Sequence, residues 1–353
     1  MTAPEDNSGL LQAADDIRAF EHARGAASRQ PEVDELQARI TDLEAQLKGS
    51  SAEDDRWAVR VFPTYTTKTY GNHAAVLLLL GELGVRRISH LLTPSMSTDV
   101  QAFTQAARDQ GVLSWLTVGQ PLASYTAAQW AKMRALLLGP LRGCVTRVTG
   151  FNEPNNDGDP DWVAKTAAHA RLLRALVDDV NADYADDGTA PIWVGSTPLW
   201  NGNQDKHDAD LAQLAPLVRD YVDGGMWHLY FRGGPADSGL YHQRSVYEAA
   251  YPGLPSGSHE SGAFTAPNYT GGSNPVTEAG QADLCATVLD AYDAAGADAL
   301  CWFELLDDPD PTGSLREASF GLVRTPTLDP ATWSKKPAFD ALRDALARRY
   351  ATA

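Results

Sequence analysis

The sequence is poor in cysteine and in basic residues, and each shortage excludes a class of protein. Its 353 residues include only Cys144, Cys285 and Cys301, too few for a disulfide framework and without the C-x-x-C spacing of a zinc ribbon. Lys and Arg number 29 against 46 Asp and Glu, so the formal net charge is −17. Because neutralising phosphates requires a clustered basic surface, we expect no nucleic-acid partner.

Long apolar runs are also lacking. The most apolar stretch, residues 74–80, is far shorter than the ~20 residues that a membrane helix needs. The amino terminus is acidic and no apolar stretch follows it, so it does not resemble a secretory signal. We therefore expect no membrane partner, and a location that is cytoplasmic or, by a non-classical route, released or virion-associated.

The first 55 residues differ from the rest and predict a helical extension. Within this polar segment, apolar residues recur at spacings of 3, 4, 3 and 4, at Val33, Leu36, Ile40, Leu43 and Leu47. This is the a/d pattern of a short coiled coil. We expect residues 31–48 either to pack on the chain's own domain or to mediate homo-oligomerisation or docking. Residues 49–51 predict a short linker.

From residue 56 onward the pattern alternates strands and helices. Apolar, β-branched runs predict strands at residues 57–63, 87–92, 112–118, 145–151, 192–197, 226–231, 256–264 and 299–306. Amphipathic stretches predict helices at residues 73–83, 99–110, 127–138, 162–184, 209–222, 238–250, 281–295 and 336–349. Strands joined through helices pair in parallel, so eight such units predict an α/β fold, a (β/α)₈ TIM barrel over residues 56–350. A doubly wound sheet is the alternative, but no Gly-rich nucleotide-binding loop follows any of these runs.

Polar residues end several of the predicted strands, where the active site of such a barrel lies. The fourth run ends in Asn152-Glu153-Pro154 and the seventh in His259-Glu260. Two carboxylates at these places would converge across the barrel mouth. Glycoside hydrolysis requires such a pair, with one carboxyl as proton donor and the other as nucleophile or stabilising charge.

Taken with these motifs, the sequence resembles the clan A glycoside hydrolases, retaining barrel enzymes with Asn-Glu after the fourth strand and Glu after the seventh. The His-x-Tyr often found on the sixth strand and the Trp on the eighth are matched by His228-Leu229-Tyr230 and Trp302. Residues 320–322 and 336–339 are similar to the end of families 5 and 39. The resemblance implies a retaining hydrolase acting on the β-glycosidic bond of an oligo- or polysaccharide, without a cofactor.

The same resemblance implies a role for each matched residue. Glu153 would be the acid/base and Glu260 the nucleophile, while Asn152 would bind the sugar 2-hydroxyl and Tyr230 would orient Glu260. Further candidates for substrate contact are His228, Trp302 as a stacking platform and Glu304. Trp115 and Trp200 are weaker stacking candidates, and His90 and Arg60 are weaker candidates for the floor of the site. A position in the barrel core is the alternative for the tryptophans and for one of Tyr230 and His228.

Other chemistries find little support in the pattern. The histidines show no His-x-His or His-Glu-x-x-His spacing, so we expect no metal site. The acidic residues 307–310 have oxygen ligands for calcium but are more typical of a solvated loop. The alternative function is a non-catalytic glycan-binding or adhesion barrel, for example a structural component of a phage tail or another surface assembly. Arg232 and Arg316 would suit a mildly acidic sugar if they lie near the cleft.

Overall fold

The structure is a computed structural model that describes residues 56–119, 125–232, 234, 238–266, 275–307 and 316–352. The predicted heptad segment at residues 31–48 and the linker at 49–51 lie outside these residues. So do residues 308–310 of the acidic run.

Eight parallel strands form the central sheet. They are β1 (Trp57–Arg60), β2 (Arg87–Leu92), β3 (Leu113–Val118), β4 (Val145–Thr149), β5 (Trp193–Gly195), β6 (Gly225–Tyr230), β7 (Ser256–Gly262) and β8 (Leu300–Trp302). The order β5-β4-β3-β2-β1-β8-β7-β6 places β5 and β6 at the ends, and a parallel bridge between Gly195 and Gly224 joins those ends. The predicted (β/α)₈ barrel is confirmed.

Helices surround the barrel, one after each strand. Within the described residues the α-helices are α1 (His73–Leu83), α2 (Thr98–Asp109), α3 (Ala127–Leu138), α4 (Trp162–Ala185), α5 (Gln204–Val218), α6 (Leu240–Ala250), α7 (Glu278–Ala294) and α8 (Pro337–Thr352). Side-chain caps fix several starts: Ser97 accepts from the Val100 amide, and Thr126 forms a reciprocal capping box with Gln129. None of the described helices combines the length and apolarity needed to cross a membrane.

The barrel interior changes from apolar to polar along its axis. Ala58, Trp115, Met226 and Cys301 form a small buried cluster inside the sheet, separate from the larger core between strands and helices. Nearer the carboxyl ends, the buried inward residues are polar. The apolar layer therefore stabilises the barrel, and the polar layer above it is available for chemistry.

Two strands carry an extra residue that changes which side chains face inward. Trp227 pairs with Ser258 whereas His228 pairs with Glu260, so His259 is the extra residue of a bulge in β7. A similar shift in β4 pairs Ser114 with Val145 and Trp115 with Arg147. Because a bulge interrupts the two-residue alternation, His259 and Glu260 both face the barrel interior.

The carboxy-terminal segment closes the β8 side of the barrel. It adds a small antiparallel pair, β9 (Val323–Arg324) and β10 (Ser334–Lys335). Next to β10, the buried ammonium of Lys336 lies 2.8 Å from Asp307 Oδ1 and donates to Thr265 Oγ1 at 3.0 Å. Lys336 therefore ties the loop after β8, which carries Asp307, to the segment after β7, which carries Thr265.

Candidate active site

Glu153 stands just beyond the end of β4, in a backbone conformation unusual for its residue type. Its φ of 49° and ψ of 48° make it left-handed, and no other described residue except glycine has a positive φ. Such a conformation costs roughly 1–2 kcal/mol. The Glu153 amide donates to the Pro198 carbonyl at 3.1 Å, and Pro154 begins a short 3₁₀ helix. These contacts hold the carboxylate at the barrel mouth.

Glu260 lies on β7 and is almost fully buried. The Tyr230 hydroxyl donates to its Oε2 at 2.7 Å, and the Arg60 Nε lies 3.7 Å from its Oε1. Arg60 is itself fixed from β1 by donating to the Ser89 and Thr117 hydroxyls at 2.8 and 3.1 Å. A hydrogen-bond donor and a guanidinium therefore contact the two oxygens of this carboxylate and fix its position.

The His228 imidazole lies between the two carboxylates. Its Nδ1 is 2.8 Å from Glu153 Oε1, and its Nε2 is 3.9 Å from Glu260 Oε2. Burial lowers the pKa of His228, but the charge of Glu260 and the hydrogen bond to Glu153 outweigh burial and raise it. His228 is therefore inclined to carry a proton and to donate it toward Glu153.

A second imidazole, that of His259, lies beneath His228. The two rings stack with centroids 5.6 Å apart, and His228 Nε2 is 3.4 Å from His259 Nδ1. On the far side, His259 Nε2 lies 3.0 Å from the Thr117 hydroxyl and 3.2 Å from that of Thr149. Burial, together with the charges of Arg60, His228 and Arg147, lowers the pKa of His259 well below its ordinary value. A neutral His259 can accept at Nδ1 from protonated His228 and donate at Nε2.

His228, His259 and Glu260 also form the one described group with donor atoms close enough for a metal ion, within 4.8 Å of one another. Their hydrogen bonds already satisfy these atoms. The Tyr230 hydroxyl contacts Glu260, and the Thr117 and Thr149 hydroxyls contact His259.

Asn152 precedes Glu153 and is partly exposed at the barrel mouth. Its side-chain oxygen is buried and has no hydrogen-bond partner among the described residues. A buried acceptor without a donor costs free energy, which a ligand hydroxyl would recover.

A hydrogen-bonded clasp joins the Glu153 loop to the loop after β5. Asn155 donates to Asp210 Oδ2 at 2.8 Å and accepts from the Trp200 amide at 2.8 Å. Lys206 completes the clasp by donating to the Asn155 carbonyl at 3.0 Å and to Asp210 Oδ2 at 2.6 Å. The buried Asn155 side chain therefore ties the loop that carries Glu153 to the backbone of Trp200. Asn155 was not among the predicted site residues, since an Asn after Pro in a turn carries no distinctive signal.

A cleft of about 850 Å³ opens beside Glu153. The half-buried Trp200 and the side chain of Tyr230 form part of its wall. Arg232, His242 and Arg316 also line it. Both arginines that the sequence analysis names for a mildly acidic sugar therefore line this cleft.

A smaller hollow of about 130 Å³ lies at the ends of β1 and β8. Aromatic side chains make most of its wall: Phe62, Tyr65, Tyr70 and Phe303. Glu304 also lines it, and the Tyr70 hydroxyl donates to Glu304 Oε2 at 2.9 Å. Phe303 connects the hollow to Tyr230, the donor to Glu260, since the two rings have a centroid distance of 5.9 Å.

Three predicted substrate contacts lie in the core instead. Trp302 is fully buried and faces the helices, with its ring 6.2 Å from that of Phe231. Trp115 is buried inside the barrel under the guanidinium of Arg147. His90 points toward α2, where its Nε2 is 3.3 Å from the Thr104 hydroxyl, and burial lowers its pKa to about 3. None of the three has an exposed face for a sugar ring.

Comparisons with known proteins show the fold alone. No family model matches the chain, and no curated protein matches it in sequence. A β-glucosidase structure from Exiguobacterium marinum superposes with a TM-score of 0.56 at 11% identity, covering 85% of this chain and 99% of that one. A glycoside hydrolase family 17 β-1,3-glucanosyltransferase from Rhizomucor miehei gives 0.53 at 16% identity, covering 76% and 92%.

An endo-laminarinase from Formosa gives a TM-score of 0.52 at 12% identity, covering 76% of this chain and 83% of that chain. The finer resemblance to families 5 and 39 stays a prediction. The chain shares its barrel fold with solved enzymes that act on glycosidic bonds.

Proposed function

We propose that this chain is a retaining glycoside hydrolase that cleaves a β-glycosidic bond in an oligo- or polysaccharide. The observation that carries the proposal is the pair of carboxylates, Glu153 and Glu260, on opposite sides of His228 at the carboxyl end of the barrel. The mouth of the barrel is where such folds hold their chemistry. The shared fold with glycosidases agrees with this reading.

In the first step Glu260 attacks the anomeric carbon, and Glu153 gives its proton to the glycosidic oxygen. The bond between that carbon and oxygen breaks, the leaving sugar departs as an alcohol, and a glycosyl ester forms on Glu260. The Tyr230 hydroxyl and the Arg60 guanidinium orient Glu260 before the attack. His228 keeps Glu153 in place through its Nδ1.

In the second step Glu153, now a carboxylate, takes a proton from water while the water oxygen attacks the anomeric carbon. The ester bond to Glu260 breaks, and the sugar leaves with its original anomeric configuration. Asn152 would accept a hydrogen bond from the sugar 2-hydroxyl, because its buried oxygen has no other donor among the described residues. Such a bond strengthens in the transition state.

A panel of β-aryl glycosides and β-linked oligosaccharides tests the proposal. We expect wild-type protein to release sugar with retained configuration, as measured by NMR. Glu260→Gln should lose at least about a thousandfold in rate, since it removes the covalent step. The matched control is Glu248→Gln, on the exposed face of α6, which should keep full activity.

Added azide separates the two carboxylate roles. With Glu260→Ala, azide should restore turnover and give a glycosyl azide of inverted configuration, because it replaces the missing nucleophile. With Glu153→Ala, azide should attack the glycosyl ester instead and give the retained product. Wild-type protein that binds β-glycans but cleaves none would favour the non-catalytic adhesion alternative.

A further inference from the structure

We infer that the cleft beside Glu153 binds a sugar unit carrying an anionic group, a carboxylate or a sulfate ester, on the leaving-group side of the scissile bond. The inference rests on the proposed function for the meaning of that side. Binding itself does not depend on catalysis, so it can be tested separately.

The position of the cleft relative to the two carboxylates indicates which part of the substrate it would hold. Glu153 lines the cleft, whereas Glu260 lies buried behind Tyr230 and does not. In the proposed mechanism the proton donor touches the glycosidic oxygen and the nucleophile touches the anomeric carbon. A cleft that extends from the donor therefore receives the departing part of the substrate.

The described wall of the cleft carries basic side chains, although the chain as a whole is acidic. The net charge of the protein is −17, yet the described cleft wall carries the guanidiniums of Arg232 and Arg316. The His242 imidazole on the same wall lies 2.8 Å from Asp208 Oδ2. Glu153 is the only acidic residue on the described wall, and its task is proton transfer. A wall of this charge attracts an anion that the rest of the surface repels.

The Arg316 guanidinium stands over the aromatic residues next to the catalytic pair. It lies 5.7 Å from the Tyr230 ring centroid and 5.8 and 5.9 Å from those of Phe264 and Phe320. These contacts hold one planar, permanently charged group close to Tyr230. Because a guanidinium matches the planar geometry of carboxylate and the oxygens of sulfate, Arg at this place favours those groups over a hydroxyl.

An aromatic wall indicates that the anion is part of a sugar ring. Trp200 lines the same cleft, and its position is fixed by the Asn155 clasp. The Gly202 backbone lies against its six-membered ring so closely that a Cβ there would be 2.1 Å from Trp200 Cζ2. The ring is thus backed by glycine. Sugars stack on such aromatic faces, whereas a free inorganic anion gains nothing from them.

Binding to the Glu260→Gln protein tests the inference without turnover. The probes form two sets of three glucobioses, one β-1,3-linked and one β-1,4-linked, and comparisons are made within a set. The three members of a set differ only at C6 of the reducing unit, which carries a hydroxyl, a carboxylate or a sulfate. By calorimetry, we expect at least one anionic probe to bind about tenfold more tightly than the neutral one. The stronger of the two anionic probes identifies the group. Equal or weaker binding of both anionic probes, or no binding of any probe, would overturn the inference.

Variants assign the preference to the arginines. In the Glu260→Gln background, Arg232→Gln should remove most of the anion preference. Arg232 is exposed, so folding is not at risk. The control, Arg219→Gln, loses the same charge from an exposed site outside the cleft and should keep the preference. Raising the salt concentration from about 50 to 500 mM should reduce the difference in affinity between the anionic and neutral probes. A preference that survives in the double variant Arg232→Gln, Arg316→Gln would also overturn the assignment.

Cleavage by the wild-type protein reports on the proposed function independently. Cleavage with equal affinity for all three probes would leave the hydrolase intact and refute only the anionic subsite. Anion preference without any cleavage would refute the hydrolase and leave the anionic site in a binding protein.

Discussion

The Nδ1 atom of His228 lies 2.8 Å from Oε1 of Glu153, and this bond links the proposed acid/base to the interior of the barrel. The other side of the same ring approaches Glu260. Changing His228 therefore disturbs both carboxylates without touching substrate. His228 is a positioning residue in this arrangement.

The His228→Gln variant should lower kcat/KM about a hundredfold, because Glu153 loses the donor that orients it. The pH profile of the remaining activity should also shift, since a titrating partner is gone. His90→Gln is the matched control, another buried histidine on an inner strand but turned toward α2. We expect His90→Gln to keep its kcat even if it is less stable. Equal losses in the two variants would contradict the positioning role.

Tyr230→Phe should lower kcat about a hundredfold while changing KM little. The substitution keeps the ring packing against Phe303 and Phe320 but removes the 2.7 Å hydrogen bond to Glu260. Tyr241→Phe, at an exposed tyrosine on α6, provides the control. An unchanged kcat in Tyr230→Phe would show that Glu260 does not depend on this donor.

Stability should depend on pH through His228. Its pKa in the folded protein is raised above 6.5, so the protonated ring stabilises the fold below that pH. This contribution is lost as pH rises through the raised folded pKa. The free energy of unfolding, measured by urea between about pH 5.5 and 9, should therefore favour wild type over His228→Gln most at the acid end. An advantage that grows with pH would contradict the assigned charge.

The ion pair between Lys336 and Asp307 should dominate the stability of the β8 side. Lys336→Met should cost about 3–5 kcal/mol in unfolding free energy, because a buried carboxylate loses its partner. Burial already raises the pKa of Asp307 to about 6 against the opposing charge of Lys336. The double variant Lys336→Met, Asp307→Leu should recover much of the loss. A double variant as unstable as the single one would show that the charges matter less than packing.

The strand–helix alternation could be predicted because parallel strands covered on both faces are continuous apolar runs. Helix starts could be predicted less well. The fifth helix begins at Gln204 after its Asn203 cap, five residues before the expected start at residue 209. Polar residues fill that first turn, and the cap rather than periodicity fixes its position.

Which residues of the site face inward could not be predicted from the two-residue alternation of strands. On β7, a strict two-residue period would put His259 and Glu260 on opposite faces, and the bulge brings them to the same one. On β8, the strand ends at Trp302, so Phe303 and Glu304 both line the hollow although they are adjacent in sequence. The Asn155 clasp joins residues 45 and 55 positions apart, a contact that only the folded chain shows.

The extra residue of β7 has a consequence for how protons reach the site. His259 has both ring nitrogens engaged, and burial lowers its pKa well below the ordinary value, which favours the neutral ring. Trp115 and Met226 fill the barrel below this layer. These apolar side chains fill the barrel interior toward the amino-terminal ends of the strands. We therefore expect His228, Glu153 and Glu260 to exchange protons through the open mouth, which a bound sugar would cover.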